Sequence, residues 1–153
     1  MKKFFLMTLV AGIAMIFASC GKEVNLAGTS WHADETYTKQ LVVSGITADC
    51  VFNFDVDLNF TDATTGTMNA KYSGTITAMG QEHPVPDGGG TDSFTYTFDG
   101  ENGVLYSTDP NETETIPFTY DKKEKMIVIN LDFDNSDEMP GLEFHIPLHF
   151  KRQ

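Results

Sequence analysis

From Cys50 to Phe60, apolar and polar side chains alternate without a break: Phe52, Phe54, Val56, Leu58 and Phe60 against Asn53, Asp55, Asp57 and Asn59. A period of two fits a pleated strand with one dry face, whereas a helix would scatter these residues around its circumference. The pattern recurs in Met68, Ala70, Tyr72, Ile76 and Ala78, in Phe94, Tyr96 and Phe98, and in the short run Val104 to Thr108. It continues through Ile116, Phe118 and Tyr120, through Ile127, Ile129, Leu131 and Phe133, and through Leu142, Phe144, Ile146, Leu148 and Phe150. Gly28 to Asp34 with Tyr37 to Ile46 add one or two more strands, and no segment reads as a helix. Polar turns fall at Thr61–Thr64, Glu101–Gly103, Asp109–Asn111 and Asp121–Glu124. Short strands joined by such turns predict an all-β fold, a single antiparallel meander closing into a barrel of about eight strands, with a β-sandwich as the alternative.

Two features bear on closure and on a mouth. Pro117 and Pro147 occupy outward positions, where a missing N–H is tolerated only at an edge or bulge, so the barrel is expected to be imperfectly closed. Met79 to Asp92, with His83-Pro84-Val85-Pro86-Asp87 and three glycines, is the longest stretch without alternation. Long loops in compact domains are often functional, and this one is expected to form the barrel's mouth or lid. Trp31, Tyr37 and His83 are the candidate ligand-contacting residues there.

The chain opens with Met1-Lys2-Lys3, an apolar run from Phe4 to Ala18, and Cys20. A cationic start, a short apolar core and small residues before a cysteine make a secretory signal, and the run falls short of the about 20 residues that span a bilayer. Phe17-Ala18-Ser19-Cys20 resembles the lipobox of bacterial lipoproteins, with Phe17 where Leu is commoner. The resemblance implies cleavage before Cys20, lipid on its sulfur, and anchoring by two or three acyl chains. Residues 1–19 are then a removed signal peptide, 20–26 a lipidated tether and 27–153 the β domain. Gly21 stands where an Asp would retain such a protein in the inner membrane, which implies the outer membrane, on its periplasmic face or at the cell surface.

Processing removes Lys2 and Lys3 but no acid, taking the net charge from −12 to −14. A polyanion repels phosphate backbones, which argues against nucleic acid as a partner. With Cys20 acylated, Cys50 is the only remaining thiol, so the domain holds together without an internal disulfide. Its position among the inward-facing residues predicts a buried, inert thiol.

Leu26-Ala27-Gly28-Thr29-Ser30-Trp31, and Phe94 to Gly100 followed by Val104-Leu105-Tyr106, resemble the lipocalin-like domains of bacterial lipoproteins, which read Gly-Thr-Trp near their first strand. The resemblance implies a small antiparallel barrel with Trp31 packed across one end, no shared enzymatic activity, and binding of a small apolar ligand. The expected function is a lipid-anchored, non-enzymatic module taking such a ligand or an envelope protein at one barrel end. A filled core is the alternative, because an eight-stranded interior is just wide enough for side chains or one small ligand. The chain places eleven aromatic rings inward, from Phe52 to Phe150.

Catalytic constellations are missing from the pattern: there is no Gly-x-Ser-x-Gly elbow, phosphate loop or His-Glu-x-x-His helix, and no catalytic residue or cofactor is expected. His145 and His149 lie roughly 13 Å apart on one strand, too far to share a metal. Asp132 to Glu143 imitates an EF-hand loop, but Asp137 takes the place of the obligatory Gly, and no metal site is expected. Asp55 and Asp57 share a face about 7 Å apart, a spacing glycosidase carboxylates use, but they project to the solvent side, where solvation explains them.

Overall fold

The computed structural model describes residues 24–43, 45–113, 115–134 and 143–153. Cys20, the signal segment and most of the tether lie outside them, as does the centre of the acidic run 132–143. Eight strands follow in chain order: β1 (Thr29–Val43), β2 (Ile46–Phe60), β3 (Thr65–Ala78), β4 (Gln81–Phe98), β5 (Asn102–Ser107), β6 (Thr115–Asp121), β7 (Met126–Asp134) and β8 (Glu143–Arg152). Each pairs antiparallel with the next, and β8 returns to β1, so the meander is a closed barrel and not a sandwich. The described residues contain no helix.

The inward rows set the core. Leu58, Phe60, Ile127, Ile129, Leu148 and Phe150 are at most 2% exposed, and burying such a side chain stabilises by about 1.5–3 kcal/mol. One end is plugged by rings: Phe60 lies 4.8 Å from Tyr96, 5.6 Å from Phe94 and 6.1 Å from Phe118, centroid to centroid. Phe98 stacks on Phe118, and Trp31 meets Tyr120 edge-on at 6.1 Å. Trp31 Nε1 donates to Thr29 Oγ1, and Leu26 is buried beneath the same end.

Strand lengths are unequal. β1 to β4 run 14 to 18 residues, β5 to β8 only 6 to 10. At about 3.3 Å per residue the first four stand about 45 Å tall or more, against about 20–30 Å for the rest. All eight meet around the ring plug, and above it the first four continue as a tall curved wall.

The segment 79–92, expected as a loop, is instead the first half of β4. Its only turn is Met79-Gly80, both at positive φ (54° and 76°), as a two-residue hairpin between right-twisted strands requires. The prolines are accommodated because β5 pairs only with Phe94–Phe98, leaving the start of β4 a free edge. Pro86 and Asp87 face Ser73 alone, in a bulge between the Tyr72↔Gly88 and Gly74↔Val85 pairs. Gly88 leaves room for the Tyr72 ring, and Gly89 sits at φ 135° over the Ala70 carbonyl.

Pro117 and Pro147 sit where ladders stop. The β6–β7 ladder ends at Phe118↔Ile129, one residue short of Pro117. Tyr120 N–H donates to Glu101 O on the β5 side, so by strand parity the bare nitrogen of Pro117 faces β7. The β1–β8 ladder consists of Trp31↔Arg152 and His32↔Lys151, extended by Gln153 N–H to Ser30 O. Beyond it, His149 N–H donates at 3.1 Å to the side chain of Glu35, and Pro147, two residues on, turns its nitrogen to the same side. The barrel closes, with a short seam on either side of the β7–β8 hairpin.

Candidate functional site

The open end begins where the short β5–β6 hairpin stops against the taller β3–β4 wall. A cleft of ≈ 200 Å³ opens there, floored by Met68, Phe94, Leu105 and Ile116. Its rim is polar: Ser107 Oγ donates to Glu112 Oε2 at 2.6 Å, and Thr108 Oγ1 to Ser93 O at 3.1 Å, tying the β5–β6 connection to β4. Above the cleft the concave face of the wall carries Tyr37, Phe52, Ala70 and Ile76, all half-buried, Tyr72, 46% exposed, and the buried Leu41 and Cys50. The four long strands register these residues in rows, Tyr37↔Phe52↔Gly74↔Val85 and Lys39↔Cys50↔Ile76↔His83.

The three candidate ligand residues are divided by this geometry. Tyr37 and His83 lie on the same concave face, in neighbouring rows but three strands apart, about 14 Å. His83 is exposed and Tyr37 half-buried. Trp31 is six residues down β1 from Tyr37, about 20 Å, and is 3% exposed inside the ring plug. It packs across one end of the barrel, as the lipocalin-like resemblance implies, but at the end away from the cleft. Met68 and Ile116, which floor the cleft beside the buried core residue Leu105, share inward parity with the core and pack against it; only the unequal strand lengths, invisible in an alternating pattern, leave them half-covered.

Cys50 is 1% exposed, and burial, followed by the charge of Asp49, pushes its thiol pKa up. The nucleophilic thiolate is therefore suppressed. Tyr96, buried in the ring plug, has its pKa raised by burial and then by Asp62, and its hydroxyl donates to Asp62 O at 2.8 Å. The Asp62 carboxylate accepts from Thr64 N–H and Thr65 N–H, both at 2.8 Å, and these bonds hold its pKa down to about 2. These carboxylate contacts close the β2–β3 turn and put no group on a substrate.

On the outer face, Asp55 and Asp57 come together with a residue the linear pattern gave no reason to join to them. His32 is registered directly opposite Asp57, and its Nδ1 lies 2.9 Å from Asp57 Oδ1 and 3.8 Å from Asp55 Oδ1. Across the seam, Glu35 Oε1 stands 2.9 Å from His149 Nδ1. His145 remains four residues from His149 on β8, consistent with two histidines that cannot share one ion. The EF-hand-like run lies largely outside the described residues.

The geometry defines an eight-stranded antiparallel meander barrel, plugged at one end and clefted at the other, a form consistent with lipocalin-like barrels. Comparison with family models, with curated proteins and with solved structures returned no match.

Proposed function

We propose that this protein is a lipid-anchored lipoprotein of the bacterial outer membrane, a non-enzymatic module that takes a small apolar ligand or an envelope partner at the open end of its barrel. The observation carrying the proposal is the asymmetry of the interior: a ring plug that excludes any ligand at one end, and an apolar-floored cleft under a half-covered concave wall at the other. Ligand sites are concave, largely apolar and bounded by a few polar groups, typically enclosing about 300–1,000 Å³. A cleft of ≈ 200 Å³ suits a small ligand, or one end of a chain whose remainder lies along Tyr37, Phe52 and Ile76. The tether supports the same orientation. Leu26 is buried under the plugged end, and Gly28 N–H donates to Phe60 O, so an anchor at Cys20 holds that end to the membrane and directs the cleft away from it.

Two measurements test this. Labelled palmitate should enter the full chain and not Cys20→Ala, which should leave the membrane fraction; equal labelling of both removes the anchor. Native mass spectrometry of the chain purified from membranes should show an apolar adduct that Ile116→Trp, filling the cleft, displaces. An adduct-free protein that also fails to bind a fluorescent fatty-acid probe removes the ligand. That result would favour the second reading, a structural or interaction component of the envelope with a filled core, which the exposed Val42, Ile46 and Met79 near the hairpin tips support.

A further inference from the structure

The outer face of the barrel, away from the cleft, carries a convergence of donor atoms that the proposed ligand site does not use. We propose that His32 Nδ1 and one carboxylate oxygen each of Asp55 and Asp57 form a binding site for a divalent transition-metal ion of the zinc class. The antiparallel register sets His32 on β1 opposite Asp57 on β2, and Asp55 follows two residues along the same face. All three donor atoms lie within 4.8 Å of one another, with Nδ1 at 2.9 and 3.8 Å from the two Oδ1 atoms. Two donors bound at about 2.1 Å to a tetrahedral ion stand about 3.4 Å apart. Side-chain rotations of about half an ångström therefore bring both imidazole distances to ligating geometry.

The donor set selects the ion. One imidazole nitrogen with two carboxylate oxygens suits zinc and its first-row neighbours, whereas calcium and magnesium favour oxygen alone. Three protein donors leave a fourth position to water, and the side chains are 35% (His32), 51% (Asp55) and 37% (Asp57) exposed, so an ion has direct access. The backbone is already in place, because His32 is laddered to β2 on one side and to β8 on the other. Both carboxylates converge on a single imidazole, and a dication offsets their two charges where that ring does not. Lys151 opposite His32 and Lys71 opposite Asp55 reduce the local negative field, while Asp34, registered opposite Asp55 on β1, adds to it.

Titration calorimetry of the full chain in detergent, without an affinity tag and with zinc chloride alone, should find one equivalent bound. His32→Ala and Asp57→Asn should each weaken it at least about tenfold, in line with the loss of a ligating group. Asp109→Asn, in the β5–β6 connection, and His83→Ala, on β4, lie away from this face and should leave it within about twofold. Long-range proton–nitrogen NMR of the unsubstituted protein needs no variant to fold. Zinc should displace the Nδ1 resonance of His32 alone among the four histidines. No heat up to millimolar zinc, binding that survives His32→Ala, or a shift on His83, His145 or His149 in place of His32 would overturn the site.

Discussion

Truncating one apolar side chain at each end of the barrel distinguishes a plug from a cleft. Phe60 is 1% exposed and touches three other rings, the nearest centroid 4.8 Å away. Phe60→Ala removes its burial, opens an enclosed cavity and breaks edge-to-face pairs that add about 0.5–1.5 kcal/mol each, so the expected loss is about 3–5 kcal/mol. Against a typical domain stability of about 5–15 kcal/mol that is severe, and at about 4 °C per kcal/mol the melting temperature falls roughly 12–20 °C. Ile116 is half-buried on the cleft floor. Truncating it enlarges a space already open to water and encloses no new cavity, so only part of the transfer free energy is lost, about 1–2 kcal/mol. Urea and thermal unfolding of the full chain in detergent, followed by far-ultraviolet circular dichroism, measures both. Equal losses, or a loss below about 1.5 kcal/mol at Phe60, would mean that the two ends are packed alike and that the asymmetry behind the functional proposal is wrong.

Gly103→Ala sets a β-carbon against the Phe118 ring and 2.7 Å from Thr97 O; an overpacking loss of about 1–3 kcal/mol is expected, and an unchanged urea midpoint would contradict the packing of that ring. Asp62 has its folded pKa depressed to about 2 from 3.8. Its contribution is therefore present above about pH 4 and disappears as pH falls through 2, so Asp62→Asn should lower stability near neutrality and flatten the acid limb of the stability–pH curve between those values. An acid limb identical to the parent's would refute it. Cys50, buried with a raised pKa, should resist a disulfide reagent at pH 8 for as long as the protein stays folded and label at once in urea, read at that residue by peptide mass spectrometry. Glu35→Ala leaves His149 N–H without its carboxylate acceptor, and hydrogen exchange at that amide should accelerate more than at Phe150; parallel behaviour would show that the seam is held by something else.

Much of the barrel was legible because strand parity is a local property. Phe52 to Phe60, Ile127 to Leu131 and Ile146 to Phe150 each announced their inward face, and each is inward in the structure. Gly28–Asp34 and most of Tyr37–Ile46 merge into the single strand β1, which completes the eight, while Ile46 already opens β2. The turn expected at Glu101-Asn102-Gly103 lies two residues earlier: Asp99 accepts from Glu101 and Asn102 N–H while Gly100 takes φ 98°, and Asn102 already begins β5. The larger miss was 79–92, where prolines and glycines signal a loop in isolation but serve a free edge, a bulge and the Tyr72 ring once β3 lies alongside. The Asp55–Asp57 pair was visible and its third member was not, because His32 stands 23 residues before Asp55 and only the β1–β2 register brings it across.

The two prolines explain more than their own positions. A closed barrel needs every strand to donate on both sides, and a strand containing proline cannot do so at that residue. Here each bare nitrogen coincides with a ladder that has stopped, Pro117 toward β7 and Pro147 toward β1. Among the described residues the strand ladders tie the β7–β8 hairpin to its neighbours near the ring plug, by four pairs on the β6 side and two on the β1 side. On the β1 side, where a buried unpaired N–H would cost about 1–3 kcal/mol, the Glu35 carboxylate takes the bond a strand would have made. The plugged end holds the ring shut, and the polar side chain at the seam lets the upper half part from β1 without leaving that donor unpaired. Both prolines thus fall where no neighbouring strand asks for the bond they lack, and the ring is closed through its plugged end.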